Sequence, residues 1–139
     1  MDTLFLDTNV VLDVLGNREP YYMASASVVS MADRGQARVI ISPVSCATIA
    51  YVLERFLPKA ESRKRLKNFL VLCDVSTVNQ KITSAAIGSR FEDFEDALQH
   101  FSAVDYECDV IITRNVKDFK HATIPVMTPT EYLAQRSAR

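Results

Sequence analysis

The chain has 139 residues, 48% hydrophobic and 24% charged, enough apolar side chain to close one sizeable core and too little length for two, so one domain over residues 1–139 is expected. Lysine plus arginine number 16 against 17 for aspartate plus glutamate, a formal charge of -1, which excludes a global field drawing the protein onto nucleic acid or anionic lipid and leaves only local patches for a polyanion. Three widely spaced cysteines, Cys46, Cys73 and Cys108, exclude a disulfide framework and a C-x-x-C site, and no run approaches the roughly 18 apolar residues of a membrane span or reads as an export signal, so a cytoplasmic location is expected.

Thr3 to Leu6 is a short apolar run, too brief for a helix, and reads as a buried strand ending at Asp7. Asn9 to Leu15 reads as a helix stopped by Gly16, and Tyr22 to Ala32 as a second ending at Gly35. Arg38 to Ile41 is a β-branched strand. Ser42-Pro43 supplies an N-cap and a first-turn proline for an apolar helix from Val44 to about Leu57, broken by Pro58. Leu66, Phe69 and Leu70 mark an amphipathic helix that leads to a weak strand at Cys73 to Val75. Asn79 to Ile87 is helical, and Phe94, Ala97, Leu98 and Phe101 give the i, i+3, i+4, i+7 stripe of the next helix. Val110 to Thr113 is an apolar strand, Ile124 to Met127 a last one, and Thr128-Pro129 opens a terminal helix. Strands apolar on both faces and alternating with helices predict a three-layer α/β/α sandwich around a parallel sheet. In such sheets function sits beyond the carboxyl ends of the strands.

Two strand ends carry polar groups: Asp7 and Asn9 after the first, and Arg114, Asn115, Lys117 and Asp118 after Val110 to Ile112. Glu92, Asp93, Glu95 and Asp96 pack four carboxylates into five residues at a helix start. For Glu92 and Glu95 the expected role is compensation of the helix dipole on a solvated face. Asp96, beside apolar positions, would be costly without a partner, and a hard divalent cation held by oxygen ligands fits. Only two histidines, His100 and His121, and no paired cysteines argue against zinc. His100 is expected to be an ordinary exposed residue or a support to a ligand. The serines Ser42, Ser45 and Ser102 lack a nucleophile-elbow context, and no glycine-rich phosphate loop exists.

The blocks Leu6-Asp7-Thr8-Asn9-Val10, Asp93-Phe94-Glu95-Asp96-Ala97-Leu98-Gln99 and Ile112-Thr113-Arg114-Asn115-Val116-Lys117-Asp118-Phe119 resemble, in order and spacing, those of the PIN domain family, and within it the VapC-type toxin relatives. The resemblance spans essentially the whole chain. It implies a PIN-like parallel sheet and metal-dependent endoribonuclease activity, with Asp7, Asp96 and Asn115 or Asp118 lining an acidic pocket. Asp7, Asp96 and Asp118 are expected to hold Mg²⁺ or Mn²⁺, with Asn115 as an orienting ligand. Asn9, Thr48, Arg114 and Lys117 are expected at the substrate.

One position departs from the family. The glutamate common on the helix after the second strand is matched here by Thr48, a hydroxyl without charge. Glu54, six residues on, is turned about 600° around the helix and is a poor stand-in, better read as a surface charge. Thr48→Glu is therefore expected to restore a fourth acidic group facing Asp7.

Arg55, Lys59, Arg63, Lys64, Arg65 and Lys67 form a local basic run that is equally a phosphate-contacting patch or a solvated helix face. The expected partners are RNA and a cognate antitoxin, with Tyr21, Tyr22 and Phe56 as residues for a homodimer face. The alternative function is a catalytically weakened PIN-like RNA-binding or protein-interaction module. Phospho-aspartate chemistry of the haloacid dehalogenase or receiver type is disfavoured, because Asn9 stands where the first needs aspartate and Leu6 where the second needs an acid.

Overall fold

The computed structural model describes all 139 residues. Five parallel strands, β1 (Asp2–Leu6), β2 (Ala37–Ile41), β3 (Asp74–Val75), β4 (Val110–Ile112) and β5 (Val126–Met127), form one sheet in the order β3-β2-β1-β4-β5. Seven helices accompany them: α1 (Thr8–Leu15), α2 (Tyr22–Asp33), α3 (Pro43–Leu53), α4 (Lys59–Leu70), α5 (Gln80–Ile87), α6 (Phe94–Asp105) and α7 (Pro129–Ser137). A single 3₁₀ turn, Val116–Phe119, follows β4.

Strand β1 is central and has no solvent-facing side. Leu4 and Leu6 join one core with Val10, Val28, Ile41 and Ile112, while Phe5 joins Ile40, Ile111 and Phe119 on the opposite face. Burial on both faces explains why the strand sequences do not alternate. The sandwich expected from the sequence is the fold observed.

Local chemistry sets the element ends. Ser42 caps α3, its hydroxyl accepting from Ser45 N at 3.1 Å with Pro43 at the first helical position. Thr128 and Glu131 close a capping box on α7. Gly35 ends α2 at φ 67°, the left-handed region in which only glycine is unstrained. Helix α3 stops at Leu53, short of the expected Leu57. The chain instead winds off through Arg55 N to Val52 O and Phe56 N to Leu53 O, i to i−3 bonds that deliver it to Pro58, whose ring disfavours helix in the residue before it. The three cysteines are free thiols, and burial pushes Cys73 and Cys108 up to about 12. No helix is long and apolar enough to cross a membrane.

The strand order reverses at β1. From β1 the chain moves through β2 to β3 on one side, then returns to place β4 and β5 on the other. The crevice between the carboxyl ends of β1 and β4 is thus the topological switch point, where open α/β sheets bind ligands.

Candidate active site

Asp7 leaves β1 directly into this crevice. Its backbone N–H donates to Ile112 O at 2.9 Å, extending the β1–β4 ladder by one residue, and its carboxylate caps α1 by accepting from Thr8 N at 2.9 Å. Thr113 Oγ1 donates to Asp7 Oδ2 at 2.8 Å, and Gln99 Nε2 lies 3.4 Å from Asp7 Oδ1. Gln99 also donates to Ser45 Oγ at 2.6 Å and accepts from Ser42 Oγ, and Ser45 pairs with Thr8 Oγ1 at 2.8 Å. All members of this network are buried. A half-satisfied polar group there would be costly, so the set locks the Asp7 carboxylate from below. Burial raises the Asp7 carboxyl above its ordinary value, against the hydrogen bonds from Thr113, Thr8 and Gln99. Ser42, Ser45, Thr8, Thr113 and Gln99 were not singled out as site residues by sequence reasoning. The signal for Gln99 was a polar residue inside the apolar stripe of α6.

Two depressions adjoin one another here, and one of them reaches Asp7. One, of about 330 Å³, is bordered by Asp7, Asn9, Thr48, Asn115 and the carboxylates of Asp93, Glu95, Asp96 and Asp118. The other, of about 530 Å³, shares Asp93, Asp96 and Asp118 with it and adds Glu92, Lys117, Lys120 and His121. Asp96 and Asp118 therefore stand on the ridge between them. Burial pushes the Asp96 carboxyl up to about 7, and the charges of Asp7, Asp93, Asp118 and Glu95 push the same way. Asp93 caps α6 through Asp96 N at 2.9 Å, whereas Asp118 is exposed and caps nothing. Asn115 is exposed, its N–H held by Thr113 Oγ1 at 3.1 Å.

Several expectations are corrected. Glu95 is not simply a solvated dipole partner: its Oε1 accepts from Thr48 Oγ1 at 2.8 Å, half-buried within the depression. The Thr48 hydroxyl on α3 thus meets an acid from α6 in the same space. Arg114 borders neither depression. Its Nε lies 3.0 Å from Asp13 Oδ2, at an angle unsuited to a hydrogen bond, and its guanidinium carbon sits 4.0 Å from the centre of the Tyr21 ring. The guanidinium that does border the acidic space is Arg18. His100 is buried, not exposed, between Phe91 and Phe101, and its Nε2 accepts from Thr123 N at 3.1 Å. Burial lowers its pKa, so it is a neutral core residue. Arg65 of the basic run is spent on structure, donating to Leu15 O at 2.7 Å and Glu61 at 3.2 Å, while Arg55, Lys59, Arg63, Lys64 and Lys67 are exposed. Glu54 ends α3, half-buried.

Around Asp7 the side chains able to ligate a cation offer oxygens, with no His or Cys among them, and no three His, Cys, Asp or Glu side chains form a ready-made cluster. That donor set suits a hard cation which takes one or two carboxylates and keeps several waters, and it suits zinc poorly. Such an ion would neutralise the like charge that adds to burial in raising Asp96.

A family model described as a PIN domain matches residues 3–117. VapBC2 from Rickettsia felis, solved bound to a promoter DNA fragment, superposes with TM-score 0.67 at 19% identity, covering 90% of this chain and 96% of that one. VapBC-1 from nontypeable Haemophilus influenzae gives 0.68 at 18%, covering 92% and 98%. A toxin–antitoxin complex from Klebsiella pneumoniae gives 0.68 at 22%, covering 91% and 97%. No curated protein matches at a significant level. With the family model running from Thr3 in the first strand to Lys117 within the 3₁₀ turn after the fourth, the chain belongs to the PIN domain family.

Proposed function

We propose that this protein is a Mg²⁺- or Mn²⁺-dependent endoribonuclease that hydrolyses RNA phosphodiester bonds, and that it is the toxin of a toxin–antitoxin pair. The observation that carries the reading is the gathering of Asp7, Glu95, Asp96 and Asp118 from three separate chain segments at the switch point, where burial first and the neighbouring charges second push the Asp96 carboxyl up to about 7. A stable fold has no use for such repulsion, and a bound cation does.

Asp7, Asp96 and Asp118 would hold the ion, with Glu95 as a fourth acid. When bound, the ion supplies Lewis-acid activation of a water and neutralises charge developing on the phosphoryl oxygens. Asp7 cannot swing away, because Thr113, Thr8 and Gln99 fix both carboxylate oxygens. Asn115 orients the phosphodiester or a water from the mouth of β4, and Asn9 lines the depression from α1. Lys117 offers an ammonium on the far side of the Asp96–Asp118 ridge, where a neighbouring phosphate of the strand would pass. The Thr48 departure does not leave the site short of an acid, since Glu95 fills that space, and this favours the nuclease over the weakened module.

The antitoxin reading is supported by the similar toxin–antitoxin structure and by an apolar groove of about 290 Å³ beside the acidic space. Leu12, Val52, Leu53, Phe56 and Leu57 line that groove, and Phe56 is 79% exposed.

The test is cleavage of a mixed single-stranded RNA by the purified chain. Mg²⁺ or Mn²⁺ is expected to support cleavage and EDTA to stop it. Asp96→Asn is expected to lower the rate by roughly a hundredfold or more, since even groups behind metal ligands cost about 10–100-fold. Cleavage persisting in EDTA, or unchanged in Asp96→Asn, contradicts the reading.

A further inference from the structure

Arg18 and Arg114 share one carboxylate, Asp13, which has no solvent exposure. Burying an ion pair repays its desolvation poorly, so a fully buried aspartate gripped by two arginines is weak evidence of stabilisation and calls for another role. The two arginines end up very differently placed. Arg114 sits over the Tyr21 ring, outside both acidic depressions. Arg18 follows the turn after α1, where Asn17 is left-handed at φ 50° and Arg18 N donates to Asp13 O at 3.0 Å. Its Nε donates to Asp13 Oδ1 at 3.0 Å and its Nη2 to Asn9 Oδ1 at 3.1 Å. Nη1 has no protein partner. The side chain is 37% exposed and is the sole cation bordering the depression that contains Asp7.

A depression lined by five carboxylates repels a polyanion, and a hard cation bound there neutralises only part of that charge. The guanidinium is well suited to the remainder: planar, permanently charged and able to present a fork of donors to phosphate oxygens. Here it is held by Asp13 and Asn9 on one edge, with Nη1 left unpaired, and it makes no ion pair with the five carboxylates of the depression it borders. Binding thus would not require this side chain to be ordered afresh.

We propose that Arg18 is a phosphate-binding residue of this site, with Asp13 as its positioning residue, and that it engages the RNA backbone on the Asp7 side of the Asp96–Asp118 ridge. Arg114 serves as the second clamp on Asp13 and does not touch substrate. The proposal rests on the nuclease reading above and adds a cation from outside the three family blocks.

The test measures anisotropy of a short fluorescein-labelled single-stranded RNA in Ca²⁺, across a salt titration, beside Mn²⁺ affinity and melting temperature. Arg18→Gln is expected to weaken RNA binding by about tenfold or more, the loss of one charge-assisted contact. It should also reduce the salt slope by about 0.7, one single-strand phosphate. Its Mn²⁺ affinity should not fall. Arg18→Lys should keep the salt slope and recover part of the affinity, and Asp13→Asn should weaken binding less than Arg18→Gln. Arg114→Gln should lower the melting temperature with RNA affinity retained. Wild-type affinity and slope in Arg18→Gln would overturn the proposal, as would equal loss in Arg114→Gln. Failure of the unmodified chain to bind RNA at all would instead contradict the nuclease reading, and the proposal with it.

Discussion

Asp96 shows what the site costs at the scale of a single residue. Its carboxyl titrates near 7 in the fold against 3.8 for the ordinary group, so the folded protein holds that proton more tightly than the unfolded chain does. The contribution to stability is complete below about pH 4 and is lost as pH rises through about 7. Metal-free protein should therefore be less stable at about pH 8 than at about pH 5 on this account. Asp96→Asn should raise the melting temperature at the higher pH by clearly more than at the lower. The group is half-exposed, so solvent screening reduces the effect to about 1 kcal/mol, roughly 3–6 °C in a chain of this size. An equal shift at both pH values, or a fall, would mean that the acids around Asp96 do not burden it. The opposite sign is expected for Asp2, whose carboxyl is lowered by the Tyr132 hydroxyl and Arg139.

Between elements, the interesting exchange is of α3 for α6. Thr48 on α3 gives its hydroxyl to Glu95 on α6. Thr48→Glu consequently does not fill an empty place, as the sequence alone suggests; it sets two carboxylates against each other. Thermal melts should show the variant destabilised without metal and recovered by Mn²⁺, with a larger metal-induced shift than in the unmodified chain. Destabilisation untouched by Mn²⁺ would place Thr48 outside the ion's reach. Most of the elements were legible, because their signals are local: the two-faced apolar runs of β1 and β4, the caps at Ser42 and Thr128, the stop at Gly16. What stayed hidden is long-range. Glu95 sits 47 residues from Thr48, and nothing near either reports that they meet. Asp13 did leave a sign, a carboxylate inside the apolar run from Val10 to Leu15, and a buried acid requires a cation. The sequence could not say which arginine would answer, and both do. The short 3₁₀ turn at Val116–Phe119 carries too few residues for any periodicity to show.

For the molecule as a whole, a nearly balanced charge hides a strong local imbalance. The formal charge is -1, yet the acids collect where β1 and β4 end, and the exposed basic residues of α4 lie elsewhere on the chain. The parallel sheet explains the placement: strand order reverses at β1, so the loops after β1 and β4 diverge and leave room there. Helix α6 then brings its N-terminus and its acids over the opening. The central claim is that this crevice is built for a divalent cation. Calorimetric titration of Mn²⁺ into the chain at neutral pH tests it most directly, with Asp7→Asn and Asp96→Asn in parallel and folding checked by melting. Saturable binding that each substitution weakens by about tenfold or more, with the fold intact, is the predicted result; no binding by the unmodified chain, or the same affinity in both variants, would contradict it.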